Sequence, residues 1–274
     1  MKNEDCVEGL RSGLFRGDPS DDAFDKLLSP HERAKSKEFW SPLCVARRAA
    51  RRFAEHGTRR VLDIGAGPGK FCIAAALTRP DIRFHGVEQR GGLVDTARRL
   101  TRLLRVRNLE FEAGNALSTS WVGFDGFYLF NPFAENEYDP SNTFDDTVLL
   151  SKHRLRAELL QLTTRLSGIP TGSLILTYCG LGGPIPSSFD LVSEEPVGAG
   201  PLRTWLKSRS NEAGWYHLDH FDDVLRVARA TVEDGMRRTE RDLSASASPS
   251  STPLQAMYGS MMTAPSDLLG DGSA

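Results

Sequence analysis

The sequence predicts an α/β fold, and two observations carry the prediction. Residues 61–64 form a short apolar run that breaks into Gly65, Gly67 and Gly69, and strand-like segments then alternate with helix-compatible ones as far as residue 179. Glycine suits such a strand-to-helix junction because it tolerates positive φ and puts no Cβ between the backbone and a ligand. At 274 residues and 39% hydrophobic content, the chain is long enough for one principal domain with appendages.

The elements follow in order. Residues 1–30 are polar and turn-rich, so weak order is expected there. Ser41 is placed to cap a helix from Pro42 to about Glu55. Its apolar side carries Leu43, Ala46, Ala50, Phe53 and Ala54, with Arg47, Arg48, Arg51 and Arg52 toward the other. Residues 60–64 have strand composition, and residues 71–77 continue as a helix. Further strands are read at 83–89, 109–116, 124–133 and 172–179, with amphipathic helices at 93–104 and 147–166 between them. Residues 189–195 and 202–207, separated by a Gly- and Pro-rich stretch, suit a hairpin. A charged helix is expected over 222–242, and the Ser-, Ala-, Pro- and Gly-rich stretch from 244 reads as disordered. The organisation expected is a polar segment over 1–38, a core with a helical cover over 39–210, a helical extension over 211–243 and a tail over 244–274.

Composition narrows the function classes. A formal net charge of −2 argues against bulk electrostatic capture of nucleic acid. Cys6, Cys44, Cys72 and Cys179 are scattered without a C-x-x-C pair, so neither a zinc cage nor a disulfide framework is signalled. His217 and His220 lack further ligands at compelling spacing and read as surface histidines, so no metal is expected. The arginines at 47, 48, 51, 52, 59 and 60 read as solvated helix faces. No apolar run approaches the roughly 18 residues of a membrane span, and residues 1–10 are too charged for a secretory signal. A cytoplasmic, reduced setting follows as the expectation.

The glycine series itself is discriminating. A dinucleotide fingerprint requires G-x-G-x-x-G, and the alternate spacing of Gly65, Gly67 and Gly69 misses it. A phosphate-binding P-loop requires glycine where Ile64 stands and a hydroxyl residue where Phe71 stands. The D-x-G-x-G-x-G pattern beginning at Asp63 instead resembles the first motif of the class I S-adenosylmethionine-dependent methyltransferases, and the likeness runs in order from about residue 39 to 208. It implies a Rossmann-like seven-stranded, mostly parallel sheet whose last strand is antiparallel and lies between the fifth and sixth.

The same resemblance implies roles for individual residues. Gly65, Ala66 and Gly67 bring backbone close to the methionine part of S-adenosyl-L-methionine, and Asp63 orients that loop and approaches the amino group. Glu88, about 20 residues past the glycines at the end of the second strand, accepts hydrogen bonds from the ribose hydroxyls. Asn115, standing where an acid is common, and Ala116 address the adenine. Asn131-Pro132-Phe133 resembles the N-P-P-[YF] signature of amino-group methyltransferases, in which the Asn amide and the next carbonyl orient the target nitrogen and the aromatic packs on its plane. Asn131 and Phe133 are therefore the expected catalytic residues, although one proline stands where the signature has two. Phe39-Trp40-Ser41-Pro42 is similar to an aromatic-Thr-Pro segment that folds over the cofactor, but Trp40 reads first as an anchoring core aromatic.

The expected function is methyl transfer to a nucleophile, preferably nitrogen, on an unidentified acceptor that is a protein, a nucleic acid or a small molecule, with no membrane and no metal partner. Two alternatives stay open at this point. One is a cofactor-binding protein of the same fold without turnover, and the other is an NAD(P)-dependent oxidoreductase.

Overall fold

The structure is a computed structural model and describes residues 20–209, together with 8, 9, 12 and 13. The expected helix over 222–242, the tail from 244, and His217 and His220 lie outside the described residues. Three helices lead into the sheet: α1 (Asp21–Asp25), α2 (Pro30–Phe39) and α3 (Leu43–Glu55). There follow β1 (Arg60–Ile64), α4 (Lys70–Thr78), β2 (Arg83–Glu88), α5 (Gly91–Leu103), β3 (Leu109–Ala113) and β4 (Gly126–Leu129). The chain then runs through α6 (Lys152–Gly168), β5 (Leu174–Tyr178), β6 (Phe189–Val197) and β7 (Gly200–Lys207).

The strands make one seven-stranded sheet in the order β3-β2-β1-β4-β5-β7-β6. β1 to β5 are parallel, and β7 runs antiparallel to both β5 and β6. The expected sheet, with its last strand reversed between the fifth and the sixth, is the observed one. β4 and β5 are buried along their whole length, as central strands covered on both faces must be. Val61, Tyr128, Leu174 and Leu176 join a core with the apolar faces of α3, α4 and α5. Leu62, Ile64, Phe127, Leu129 and Ile175 join a second core with Leu155, Leu159, Leu162 and Leu166 of α6. The two-residue period of the strands thus separates two layers of helix around one sheet.

The N-terminal region departs from the sequence reading. Residues 1–30 read as turn-rich chain, whereas residues 21–25 form α1 and Pro30 begins α2. A capping box starts α2, with Ser29 accepting from the Glu32 amide, Glu32 accepting from the Ser29 amide, and Pro30 in the first turn. Ser41 does not cap α3. The Ser41 hydroxyl instead bonds Tyr128 Oη at 2.7 Å, and the Asp21 carboxylate accepts from the Leu43 amide at 3.0 Å. The cap comes from 22 residues upstream, out of reach of any local pattern.

Lys70 fixes this cover to the sheet. Its ammonium is 2% exposed and pairs with Asp21 at 2.8 Å and Asp25 at 2.9 Å. It also donates to Ser36 Oγ at 2.9 Å, and that hydroxyl donates to Asp25 at 2.7 Å. A buried ammonium requires such partners because desolvation penalises an isolated charge severely. The residue next to Gly69 therefore joins α1 and α2 to the start of α4.

Candidate active site

A cleft opens at the carboxyl ends of β1 to β4, where the strand order reverses between β1 and β4. Open parallel sheets hold their ligands at such a switch point, because the loops leaving adjacent strands diverge to opposite faces. Gly65 and Gly67 line the cleft after β1, Glu88 and Arg90 after β2, Asn115 and Ala116 after β3, and residues 130–135 after β4. Glu38, Phe39 and Trp40, at the end of α2, close it from the N-terminal side.

The glycine loop is held by its own backbone. The Gly65 and Ala66 amides both donate to the Val87 carbonyl at 3.0 Å, and Gly69 donates to Ala66 at 3.0 Å. Gly65, Gly67 and Gly69 have φ of 81°, 55° and 81°, a region that side chains with a Cβ disfavour. Space is also limiting: a Cβ on Gly67 would lie 2.5 Å from Trp40 Nε1, and one on Gly65 would lie 3.3 Å from Pro132 Cβ. Trp40 is 7% exposed and lines the cleft, so it anchors the core and borders the site at once.

Glu88 is held in the cleft by two backbone amides. One carboxylate oxygen accepts from the Gly67 amide at 3.0 Å, and the other accepts from the Arg90 amide at 2.9 Å. Burial raises its pKa, and these two amides and the Arg90 charge oppose the rise. Each oxygen retains a lone pair for a further donor. Asn115 is exposed, and its Oδ1 accepts from the Leu117 amide at 2.9 Å. Ala116 is buried beside it.

Asp63 lies beneath this surface, 3% exposed, and does not line the cleft. It faces the α3–α4 layer, where Cys72 Sγ donates to its carboxylate at 3.2 Å. Burial pushes its pKa up to about 7; the Cys72 hydrogen bond opposes the rise and the nearby Glu88 charge adds to it. Burial likewise pushes the Cys72 thiol up, helped by the Asp63 charge. At neutral pH Asp63 is therefore poised between its two forms, where a cationic group brought near it would favour the carboxylate.

The far wall is made by the segment after β4. Asn131 has φ of 38°, which asparagine tolerates better than most residues. Its amide donates to the Gly180 carbonyl at 3.1 Å, and its carbonyl accepts from Ala134 at 3.1 Å. The loop after β5 backs it closely, since a Cβ on Gly182 would lie 2.7 Å from Asn131 Oδ1. Among the described residues the Asn131 side chain and the Pro132 carbonyl have no hydrogen-bond partner. Phe133 is 9% exposed and packs with the α6 core, and its carbonyl accepts from the Asn136 amide and Nδ2, both at 3.1 Å. Asn136 Nδ2 also donates to Glu158 at 3.0 Å, and Arg154 pairs with Glu158 at 2.9 Å. This chain of bonds pins the wall to α6.

Of the nine residues singled out from the sequence, seven line one cleft: Gly65, Gly67, Glu88, Asn115, Ala116, Asn131 and Phe133. Ala66 is buried within the loop and Asp63 below it. The sequence reading missed Arg90, which bonds Glu135 Oε2 at 2.8 Å and Asp145 at 2.8 Å beneath the ring of Phe144. Burial works against the Arg90 charge, yet its hydrogen bond to Asp145 and the charges of both carboxylates leave its pKa raised. Its place two residues after Glu88 was the available signal, whereas Glu38, Glu135 and Tyr138 reach the cleft only through the tertiary fold.

Comparison with known proteins gives three results. No curated protein sequence matches the chain. Solved structures match at low identity. An RNA methyltransferase from Salinibacter ruber, in complex with S-adenosyl-L-homocysteine, is 15% identical with a TM-score of 0.42, over 62% of this chain and 97% of the other. TrmN from Thermus thermophilus is 17% identical with a TM-score of 0.43, over 59% of this chain and 48% of the other. The mitomycin 7-O-methyltransferase MmcR is 15% identical with a TM-score of 0.44, over 72% and 60%. The family described as methyltransferase domain matches residues 55–151, which run from the end of α3 to the residue that caps α6 and so include every strand tip around the cleft. Residues 55–151 of this chain are a methyltransferase domain.

Proposed function

We propose that this domain transfers a methyl group from S-adenosyl-L-methionine to a nitrogen atom. The donor is the one a methyltransferase domain of this kind implies. Glu88 accepts hydrogen bonds from the ribose hydroxyls, Gly65, Ala66 and Gly67 border the methionine part, Asp63 orients that loop from beneath and approaches the amino group through water, and Asn115 with Ala116 borders the adenine. The residues fit that group: Gly65 and Gly67 line the cleft with bare backbone, and Glu88 has lone pairs left for a diol. S-adenosyl-L-methionine supplies a methyl already activated on a sulfonium, so the protein needs chiefly to orient the acceptor. Positioning of that kind is worth roughly 7 to 11 kcal/mol of barrier in favourable cases.

The observation that carries the nitrogen reading is the pair of unpartnered acceptors, the Asn131 side-chain oxygen and the Pro132 carbonyl, beside the glycine loop. Two acceptors hold a nucleophile that bears two N–H groups and stabilise the positive charge that grows on it. Phe133 borders the plane of the acceptor from the same wall. The setting that goes with this reading is the cytoplasm; no described helix is long and apolar enough to cross a membrane.

Calorimetric titration with S-adenosyl-L-homocysteine tests the donor half. Binding is expected for the unaltered chain, with no heat from NAD. Glu88→Ala is expected to lose at least thirtyfold in affinity, about 2 kcal/mol, because charged hydrogen bonds are lost, and Gly65→Trp is expected to abolish binding. Incubating the chain with tritiated methyl donor and cell extract tests the rest. A label on oxygen or sulfur would overturn the nitrogen assignment, and binding without any label would leave a protein that holds the donor and does not turn over.

A further inference from the structure

Resting on the methyl-transfer reading, we infer that the acceptor is an amine that carries positive charge at neutral pH, seated between Glu38 and the rings of Phe39 and Tyr138. The donor reading leaves part of the cleft lining unused. There Glu38 is half-buried and lines the cleft, and among the described residues no cation pairs with it and no donor bonds it. The remaining charges there are already matched or in deficit of cations. Glu158 pairs with Arg154, while Glu135 and Asp145 share the single Arg90. A phosphate or carboxylate brought there would meet net negative charge.

The rings supply an independent reason for a cation. Phe39 and Tyr138 both line the cleft, edge to face at 5.8 Å and 75°, and Phe144 stands 6.1 Å from Phe39 at 69°. Aromatic faces attract ammonium groups through their quadrupole and gain most where water is excluded. Lys35 Nζ, outside the cleft, already lies 5.4 Å from the centre of the Phe39 ring. Burial first, and then the charges of Glu38, Glu135 and Glu137, push the Tyr138 phenol up, which places three carboxylates within electrostatic reach of that ring. Methyl transfer also brings an ammonium acceptor toward a sulfonium donor, and negative lining offsets the repulsion between them.

The chemistry balances. The acceptor arrives as an ammonium ion and gives one proton to water, which frees the nitrogen lone pair. That pair forms the N–C bond as the S–C bond breaks, and the S–C pair remains on sulfur. The product is an N-methylammonium ion and neutral thioether, with total charge conserved across the transfer. Glu38 acts here as a specificity-determining residue that holds the cation before the proton leaves.

The test uses choline chloride and its uncharged isostere 3,3-dimethyl-1-butanol as probes, titrated calorimetrically into the full chain saturated with S-adenosyl-L-homocysteine, with ionic strength held constant by potassium chloride. Choline is expected to bind at least fivefold tighter than the alcohol. Glu38→Gln is expected to bring the ratio close to one without changing affinity for S-adenosyl-L-homocysteine, and Phe39→Leu to lower the ratio. Glu38→Asp should keep part of the preference. Equal binding of the two probes, absence of choline binding, or a ratio unchanged in Glu38→Gln would overturn the inference. Failure of the chain to bind S-adenosyl-L-homocysteine would overturn the methyl-transfer reading and the inference with it, so the two failures are distinct.

Discussion

The two ends of the cleft are built by different means. At the glycine loop the polar atoms are mostly backbone, and their partners sit close by in the sheet: Val87 holds two amides, and Glu88 holds Gly67. On the acceptor side the groups are side chains from α2, the segment after β4 and α6, and Arg90, which follows β2, ties Glu135 and Asp145 of that segment back to Glu88. A backbone cradle depends on a few small residues at fixed spacing, so a short motif describes it. A side-chain wall depends on elements far apart in sequence meeting in space, so no short motif does. The proposed donor site is therefore readable from a motif, and the proposed acceptor site is not.

The strongest way to break this contrast is to detach the wall while leaving the cradle in place. Lys70 is buried between Asp21 and Asp25 and joins α1 and α2 to the helix that follows the glycines. Removing one member of a buried ion pair leaves uncompensated charge and costs about 3–5 kcal/mol. Lys70→Met, which retains most of the volume, is expected to lower unfolding free energy in urea by that amount. Asp21 would then retain only the Leu43 amide as a partner. A loss below about 1 kcal/mol would show that the cover is held by other contacts.

Lys70 also shows how legibility divides. Beside Gly69 it invites reading as a phosphate-binding lysine, and the missing glycine and hydroxyl argue against that; what it does instead depends on residues 34 to 49 positions away. The sheet was readable throughout, because strand composition and alternation are local and the reversed last strand followed from the resemblance. Boundaries shifted where local rules yielded to tertiary bonds. The helix read over 147–166 is Lys152–Gly168, since Ser151 caps it and accepts from Arg154, while 147–150 are irregular chain. Helices α1 and α2 were hidden by polar composition, because their stability comes from a capping box and a buried ion cluster, not from an apolar stripe.

Asp63 sharpens the contrast from the donor end, with an effect comparable to or somewhat smaller than that of Lys70. Stability rises with pH where the unfolded chain binds more protons, and falls where the folded chain does. With a folded pKa of about 7 against an ordinary 3.8, the folded chain keeps a proton on Asp63 that the unfolded chain has released. Stability should therefore decline as pH rises from about 4 through 7, by up to about 4 kcal/mol in total, and level off above that. Glu88, also raised, acts in the same direction. Asp63→Asn, neutral at every pH, should flatten most of the decline in melting temperature between pH 5 and 8. A slope unchanged by that substitution would assign the titration elsewhere.

The smallest effect, about 1–2 kcal/mol, is the most selective. Gly182 has φ of 81°, and a Cβ there would lie 2.7 Å from Asn131 Oδ1. Gly182→Ala thus carries the cost of a left-handed alanine, roughly 1–2 kcal/mol, and forces the Asn131 amide to move while touching nothing at the glycine loop. Gly183→Ala is the matched control, because its Cβ would meet Leu159 Cδ2 at 3.2 Å, the end of a flexible side chain, and leave Asn131 alone. If Asn131 orients the acceptor, Gly182→Ala should slow label transfer at saturating donor about tenfold, in keeping with the steep dependence of such reactions on geometry. Affinity for S-adenosyl-L-homocysteine should stay within twofold in both variants. A parallel loss of donor affinity would mean that the two ends of the cleft are mechanically one, because the loop after β5 would then be supporting the glycine cradle through Pro132, whose Cβ lies within van der Waals reach of the space beside Gly65.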